Sequence, residues 1–190
     1  MDETEKPSEA KRTTVGPPSV LAYLDPNYWN ERFTSEDHYE WLKDYSHFRH
    51  LIQQHIKPDS SVLELGCGNS QLCDELYKEG ISKLTCIDLS SVAVAKMQKR
   101  LFSKGYKDVK RKEPCGDPWN PRPEAENKAM AMLQGVHRVL KPHGIFISIA
   151  FGQPHFRRPF NAPEFTWSID YTTFGDGFHY FFYILRKNEL

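Results

Sequence analysis

The sequence predicts an α/β domain with a parallel sheet covered by helices, and three observations point to it. Short apolar runs alternate with helical periods in the order strand, helix, strand, helix, the order expected of parallel strands joined by crossover helices. The first of these strands runs into a glycine-rich turn that opens a helix. The chain closes on two β-branched and aromatic runs around a glycine turn, which reads as a hairpin.

Residues 1–24 carry charge, Ser, Thr and the Gly16-Pro17-Pro18 punctuation without an apolar period, so they are expected to be a flexible tail to a single domain over 25–190. An aromatic-rich lead-in follows. In it Trp41, Tyr45, Phe48, Leu51, Ile52 and His55 or Ile56 recur at helical spacing, and Pro58 ends the element. Ser61–Leu65 reads as a strand, and Ser70 as the N-cap of a helix through about Lys78 that Gly80 stops. Lys83–Asp88 reads as a second strand, and Ser90 or Ser91 caps a helix through about Phe102 with Val92, Val94, Ala95 and Leu101 among its apolar positions.

Residues 103–124 show neither period, and four prolines among them give a linker. A helix is then expected over Ala125–Leu140, a turn at Pro142-His143-Gly144, and a buried strand over Ile145–Phe151. The hairpin runs are Phe165–Thr173 and Phe178–Leu185, around Gly175-Asp176-Gly177.

Composition excludes several function classes. Lys+Arg and Asp+Glu both number 25, giving zero net charge, whereas a nucleic-acid binder shows a basic excess on one face. No apolar run has the length of a bilayer span, and MDETEKPSEAKRTT has no apolar stretch of a signal peptide, so a soluble, cytoplasmic protein without nucleic-acid or membrane partners is expected. Cys67, Cys73, Cys86 and Cys115 form no Cys-x-x-Cys pair and the eight histidines are scattered. Reduced thiols and no metal are the expectation.

The chemistry lies in Glu64-Leu65-Gly66-Cys67-Gly68-Asn69-Ser70. Between a strand and a helix, glycines let backbone N–H groups approach a ligand that a Cβ would exclude. A dinucleotide fold wants a third glycine where this chain has Gln71, so a nicotinamide oxidoreductase is the weaker reading. Asp88, at the end of the second strand and 20 residues past Gly68, is spaced to accept the hydroxyls of a ribose. A ribose without a pyrophosphate points to S-adenosylmethionine.

The runs VLELGCGNS, CIDLSSVAV and RVLKPHGIFISIA, with YWNERF and YEWL before them, resemble class I S-adenosylmethionine-dependent methyltransferases. More closely they are similar to the methyltransferase-like 13 group, which includes lysine methyltransferases of translation elongation factor 1-alpha. The resemblance extends from about Tyr28 to Lys187 and includes the closing GDGFHYFFYILRK. It implies a Rossmann-like sheet with helices on both faces, S-adenosylmethionine as cofactor, and a protein-lysine N-methyltransferase acting on a protein substrate such as that factor. By position it places Glu64, Gly66 and Gly68 at the cofactor, Asp88 on its ribose and Leu89 beside its adenosine. Trp29, Phe33 and Trp41 match positions that close the cofactor pocket, where aromatic faces stabilise a cationic sulfonium and exclude water.

The centre departs from that family. Each βαβ unit takes about 30 residues or more, yet between Asp88 and Pro142 only two helices and the proline-rich linker fit. Central strands three and four are therefore expected to be missing, as after an internal deletion. They carry the family's adenine and acceptor contacts. Asp117, Trp119 and His155 are side chains that could still face such a site, and none is assigned as catalytic. A catalytically silent cofactor- or partner-binding variant is the alternative function.

Overall fold

The computed structural model describes residues 22–23, 25–106, 110–112 and 125–188. The expected tail therefore lies outside the described residues except at 22–23, as do Asp117 and Trp119. Two helices form the lead-in, where the spacing predicted one. Helix α1, Pro26–Ser35, starts under the Asp25 side chain, which accepts from the Asn27 N–H at 2.9 Å, with Pro26 in its first turn. Helix α2, Tyr45–Ile52, is capped by Asp44 and buries Tyr45, Phe48 and Ile52 along one face. Trp41 stands in the bend between them, outside either helix.

Strand β1 is Val62–Leu65, helix α3 Leu72–Lys78, strand β2 Leu84–Ile87 and helix α4 Ser91–Ser103. Ser90 caps α4 by accepting from the Ala93 N–H at 3.1 Å. The buried face of α4 is Ala93, Met97 and Leu101, while Ala95 is exposed, because tertiary packing chose a different stripe from the one the β-branched residues suggested. Strand β3, Lys110–Lys112, pairs in parallel with β2. This corrects the expectation that the third strand is missing. Its sequence, KRK, has no apolar alternation, so pairing with β2 defines it where local pattern could not.

Helix α5, Ala125–Val139, leads into strand β4, Ile145–Ala150, and the hairpin follows as β5, Trp167–Phe174, and β6, Tyr180–Lys187. The strands make two three-stranded sheets, a parallel one ordered β1-β2-β3 and an antiparallel one ordered β4-β6-β5. Alternation along β6 puts Phe182 and Ile184 into one core, with α2, α3 and α4, and Tyr183 and Leu185 into a second, with α5. The second sheet is thus covered on both faces.

Among the described residues β1 pairs only with β2, and β4 only with β6. Among the described residues no strand joins the two sheets, and the interval in which a fourth strand was expected to be missing lies mostly outside them. Exposed apolar surface includes β1, with Leu63 and Leu65 at 41% and 38%, and the C-terminal ends of two helices, with Phe102 of α4 at 81% and Val139 of α5 at 60%. One consequence is measurable: substituting Leu63 and Leu65 with Thr should lower concentration-dependent aggregation in light scattering while changing melting temperature little.

Candidate functional site

The turn after β1 is held in a shape that glycine permits. Gly66 and Gly68 have φ of 67° and 48°, the left-handed region that other residues rarely adopt. The Gly66 and Cys67 N–H groups both donate to the Ile87 carbonyl, at 2.8 and 3.1 Å, and the Gly68 N–H donates to Asp88 Oδ2 at 2.8 Å. These amides tie the loop to β2, so the expectation that they would reach a ligand is corrected. What the glycines leave for a ligand is space: a Cβ on Gly66 would have nothing within 4 Å, whereas one on Gly68 would meet the Phe33 ring at 3.0 Å.

The start of α3 is also engaged from within. Glu40 Oε1 accepts from the Gln71 N–H at 2.8 Å and from the Ser70 hydroxyl at 3.2 Å, and Ser70 Oγ accepts from the Leu72 N–H. A carboxylate already occupies the helix end where a dinucleotide fold would seat its pyrophosphate. Gln71 and Glu40 thus argue the same way.

Asp88 is 8% exposed, and its two oxygens accept from the backbone N–H groups of Gly68 and Ser90 at 2.8 Å each. Burial raises its pKa, and those backbone hydrogen bonds oppose the rise. With the Leu89 N–H also acting on this carboxylate, it keeps acceptor capacity for a further donor. Glu64 accepts a weak hydrogen bond from the Cys86 thiol at 3.5 Å, and burial first, then the charges of Glu40 and Asp88, push its carboxyl up to about 8. Glu64 has no ion-pair partner among the described residues and the charge of Arg100 only partly opposes the rise, so a cationic ligand would favour its ionised form. Leu89, half-buried, follows directly.

Glu64 therefore makes stability pH-dependent. Between its ordinary pKa of 4.5 and the raised value of about 8, the folded chain holds a proton that the unfolded chain has released. Its stabilisation is complete below 4.5 and lost as pH rises through about 8. Melting temperature in the absence of ligand should fall across that interval, and the fall should be smaller in Glu64→Gln. Differential scanning calorimetry of both proteins across the interval checks it.

The three aromatics expected to close the pocket do converge on this loop, in layers. Phe33 is buried against Gly68, Trp29 stacks on Phe33 with centroids 5.6 Å apart, and Trp41 meets Trp29 edge-on at 5.8 Å. The Arg32 guanidinium lies over Trp29, Tyr39 and Trp41 at 4.9 to 5.8 Å. Phe33 is thus the ring in contact with the loop, and Trp41, half exposed, is the outermost. Sequence reasoning missed the polar residues that dock α1 and the bend. Asn30 accepts from the Ser90 hydroxyl at 2.7 Å, Asn69 donates to the Glu36 carbonyl at 3.1 Å, and Glu40 holds α3. Their partners are 30 to 60 residues away in sequence, so no local pattern announces them. His155 is exposed in a short 3-10 turn, and no contact ties it to this loop. The open cleft lined by Arg49, Gln53, Lys78 and Glu79 contains none of the site residues.

Comparison with known proteins now decides the family. A model of a methyltransferase domain matches residues 56–113, which take in β1, the glycine loop, β2 and β3. Mouse EEF1A lysine methyltransferase 4 is 35% identical over 213 positions, covering 94% of this chain and 83% of the relative. The chain belongs to the EEF1A lysine methyltransferase 4 family. The bovine relative of that name is 32% identical, covering 91% of this chain and 79% of its own. An alignment of 213 positions exceeds the 190 residues present, so the mouse family member carries residues inside the matched stretch that this chain lacks. That agrees with the separated sheets.

Solved structures of a methyltransferase from Pyrococcus furiosus and a SAM-dependent methyltransferase from Anabaena variabilis share the fold. Their TM-scores are 0.58 and 0.60 at 12% and 10% identity, covering 90% and 95% of this chain and 100% of each neighbour. S-adenosylmethionine is the cofactor of this family member. The donor set fits it, because open space at Gly66 adjoins buried acids suited to a sulfonium, an ammonium group and ribose hydroxyls.

Proposed function

We propose that this chain transfers a methyl group from S-adenosylmethionine to a lysine of translation elongation factor 1-alpha, in the cytoplasm. The observation that carries the reading is the 35% identity to mouse EEF1A lysine methyltransferase 4 across 94% of the chain. Cytoplasmic placement follows from that acceptor being a translation factor. Zero net charge supports a protein acceptor over a nucleic acid. Among the described residues no helix is long and apolar enough to cross a membrane.

S-adenosylmethionine supplies a methyl group on a cationic sulfur. In this proposal Glu64 takes the cationic amino-acid end, Asp88 holds the ribose hydroxyls, Leu89 packs beside the adenosine, and Gly66 leaves room for the methionine portion. Phe33, backed by Trp29 and Trp41, excludes water from the loop. The acceptor lysine must arrive as a neutral amine and in line with the bond that breaks, so most of the acceleration comes from alignment. When bound, the cofactor would supply the methyl group, its sulfur keeping the electron pair of the broken bond, and the proton of the methylated amine would leave to solvent.

Asp88→Ala should weaken S-adenosylmethionine binding by about 1.5–3 kcal/mol, the value of hydrogen bonds to a charged group. Isothermal calorimetry checks it, and an unchanged Kd would remove Asp88 from the site. The function itself is tested by incubating the full chain with labelled cofactor and purified elongation factor 1-alpha, then locating the label by mass spectrometry. The gap between β1 and β4 favours a second reading, a cofactor-binding chain that does not turn over. Cofactor binding by calorimetry with no label on the factor would select that second reading.

A further inference from the structure

We infer that in the cofactor-free chain Glu64, Cys73 and Cys86 form a binding site for a thiophilic divalent cation, with zinc the best match, and that this cation and the cationic end of S-adenosylmethionine compete for the Glu64 carboxylate. The sequence conceals it, since the ligands lie on β1, α3 and β2 at spacings that match no zinc motif. Folding brings one carboxylate oxygen and two sulfurs within 4.8 Å of one another. The Cys73 and Cys86 sulfurs are 3.1 Å apart, and Cys86 Sγ is 3.5 Å from Glu64 Oε2. Metal–sulfur bonds of about 2.3 Å and metal–oxygen bonds of about 2.0–2.2 Å in a tetrahedron place sulfurs about 3.8 Å apart and sulfur and oxygen about 3.5 Å apart. The spacing of the carboxylate to Cys86 already fits, and the two sulfurs need to part by about 0.7 Å, within reach of small χ1 changes.

Both sulfurs belong to residues 1% exposed. The three ligands stand on a strand, a helix and a neighbouring strand of one packed core, so they are held by rigid elements and not by loops. Two thiolates with one carboxylate select a borderline-soft cation over calcium or magnesium, which take oxygen ligands in larger number. Coordination replaces two S–H bonds with two metal–sulfur bonds, and both protons leave to solvent.

The test uses the full chain, reduced and stripped of metal, titrated with cobalt(II). A thiolate-to-cobalt charge-transfer band that saturates at one equivalent and is removed by zinc(II) is the expected result. Cys73→Ser and Cys86→Ser should each weaken cobalt binding at least about tenfold, and Cys115→Ser should leave it unchanged. X-ray absorption of the zinc-loaded wild type gives a readout independent of any variant's folding, with two or more sulfurs expected at about 2.3 Å. Absence of the band in the wild type, a shell of nitrogen and oxygen alone, or loss of the band in Cys115→Ser would each overturn the site.

Discussion

Gly66→Val is expected to abolish detectable S-adenosylmethionine binding while far-ultraviolet circular dichroism stays near that of the wild type. Two physical effects act together. At φ 67° a β-branched side chain is strained by about 1–2 kcal/mol or more, so the loop is pushed away from its native turn. Its methyl groups would also enter the space that is open within 4 Å of the Gly66 Cβ position, where the proposed methionine portion must sit. Gly66→Asn separates the two, because asparagine tolerates the left-handed region but still fills the space. A melting temperature restored in Gly66→Asn, with binding still lost in calorimetry, assigns the defect to steric exclusion. Wild-type affinity in both variants would place the cofactor elsewhere.

Supplying a strand between the two described sheets should have the largest effect on stability. A strand lying between β1 and β4 has to come from chain between β3 and α5, since α5 leads directly into β4. An insert taken from the mouse relative and placed between Lys112 and Ala125 provides the test. Such a strand would pair both open edges and cover Leu63 and Leu65. Burying two or three apolar side chains at about 1.5–3 kcal/mol each gives several kcal/mol, and at about 2–4 °C per kcal/mol the melting temperature should rise by about 10 °C or more. Methyl transfer to elongation factor 1-alpha should rise at least about tenfold with it, because alignment of acceptor and cofactor governs the rate. Equal melting temperature and turnover in the two chains would show that the short centre completes the domain by itself.

The local order of elements was legible because it rests on patterns the chain carries by itself. Glycines with positive φ at 66 and 68, the Ser90 cap and the alternation along β6 all act over a few residues. That the glycine loop and Asp88 come together was legible for the same reason, since 20 residues is the length of one helix and one strand. The short interval before Pro142 was misleading for the third strand, since β2, α4 and β3 form a βαβ unit within it.

Tertiary structure alone decided the rest. Lys110–Lys112 became a strand because β2 offers an edge to pair with, and its lysines and arginine give no apolar period from which pairing could be foreseen. The loop amides turned inward to Ile87 and Asp88, so the glycines provide space where the sequence had suggested donors. Glu64 owes its raised pKa to burial beside Glu40 and Asp88, and its place beside Cys73 and Cys86 to the packing of α3 on the sheet. The sequence by itself determined the alternation of strand and helix, because φ preferences and periodicity are properties of neighbours. Which distant carboxyls, thiols and rings share one desolvated volume was decided only by packing, because burial and electrostatic coupling act through space between residues that sequence order keeps apart.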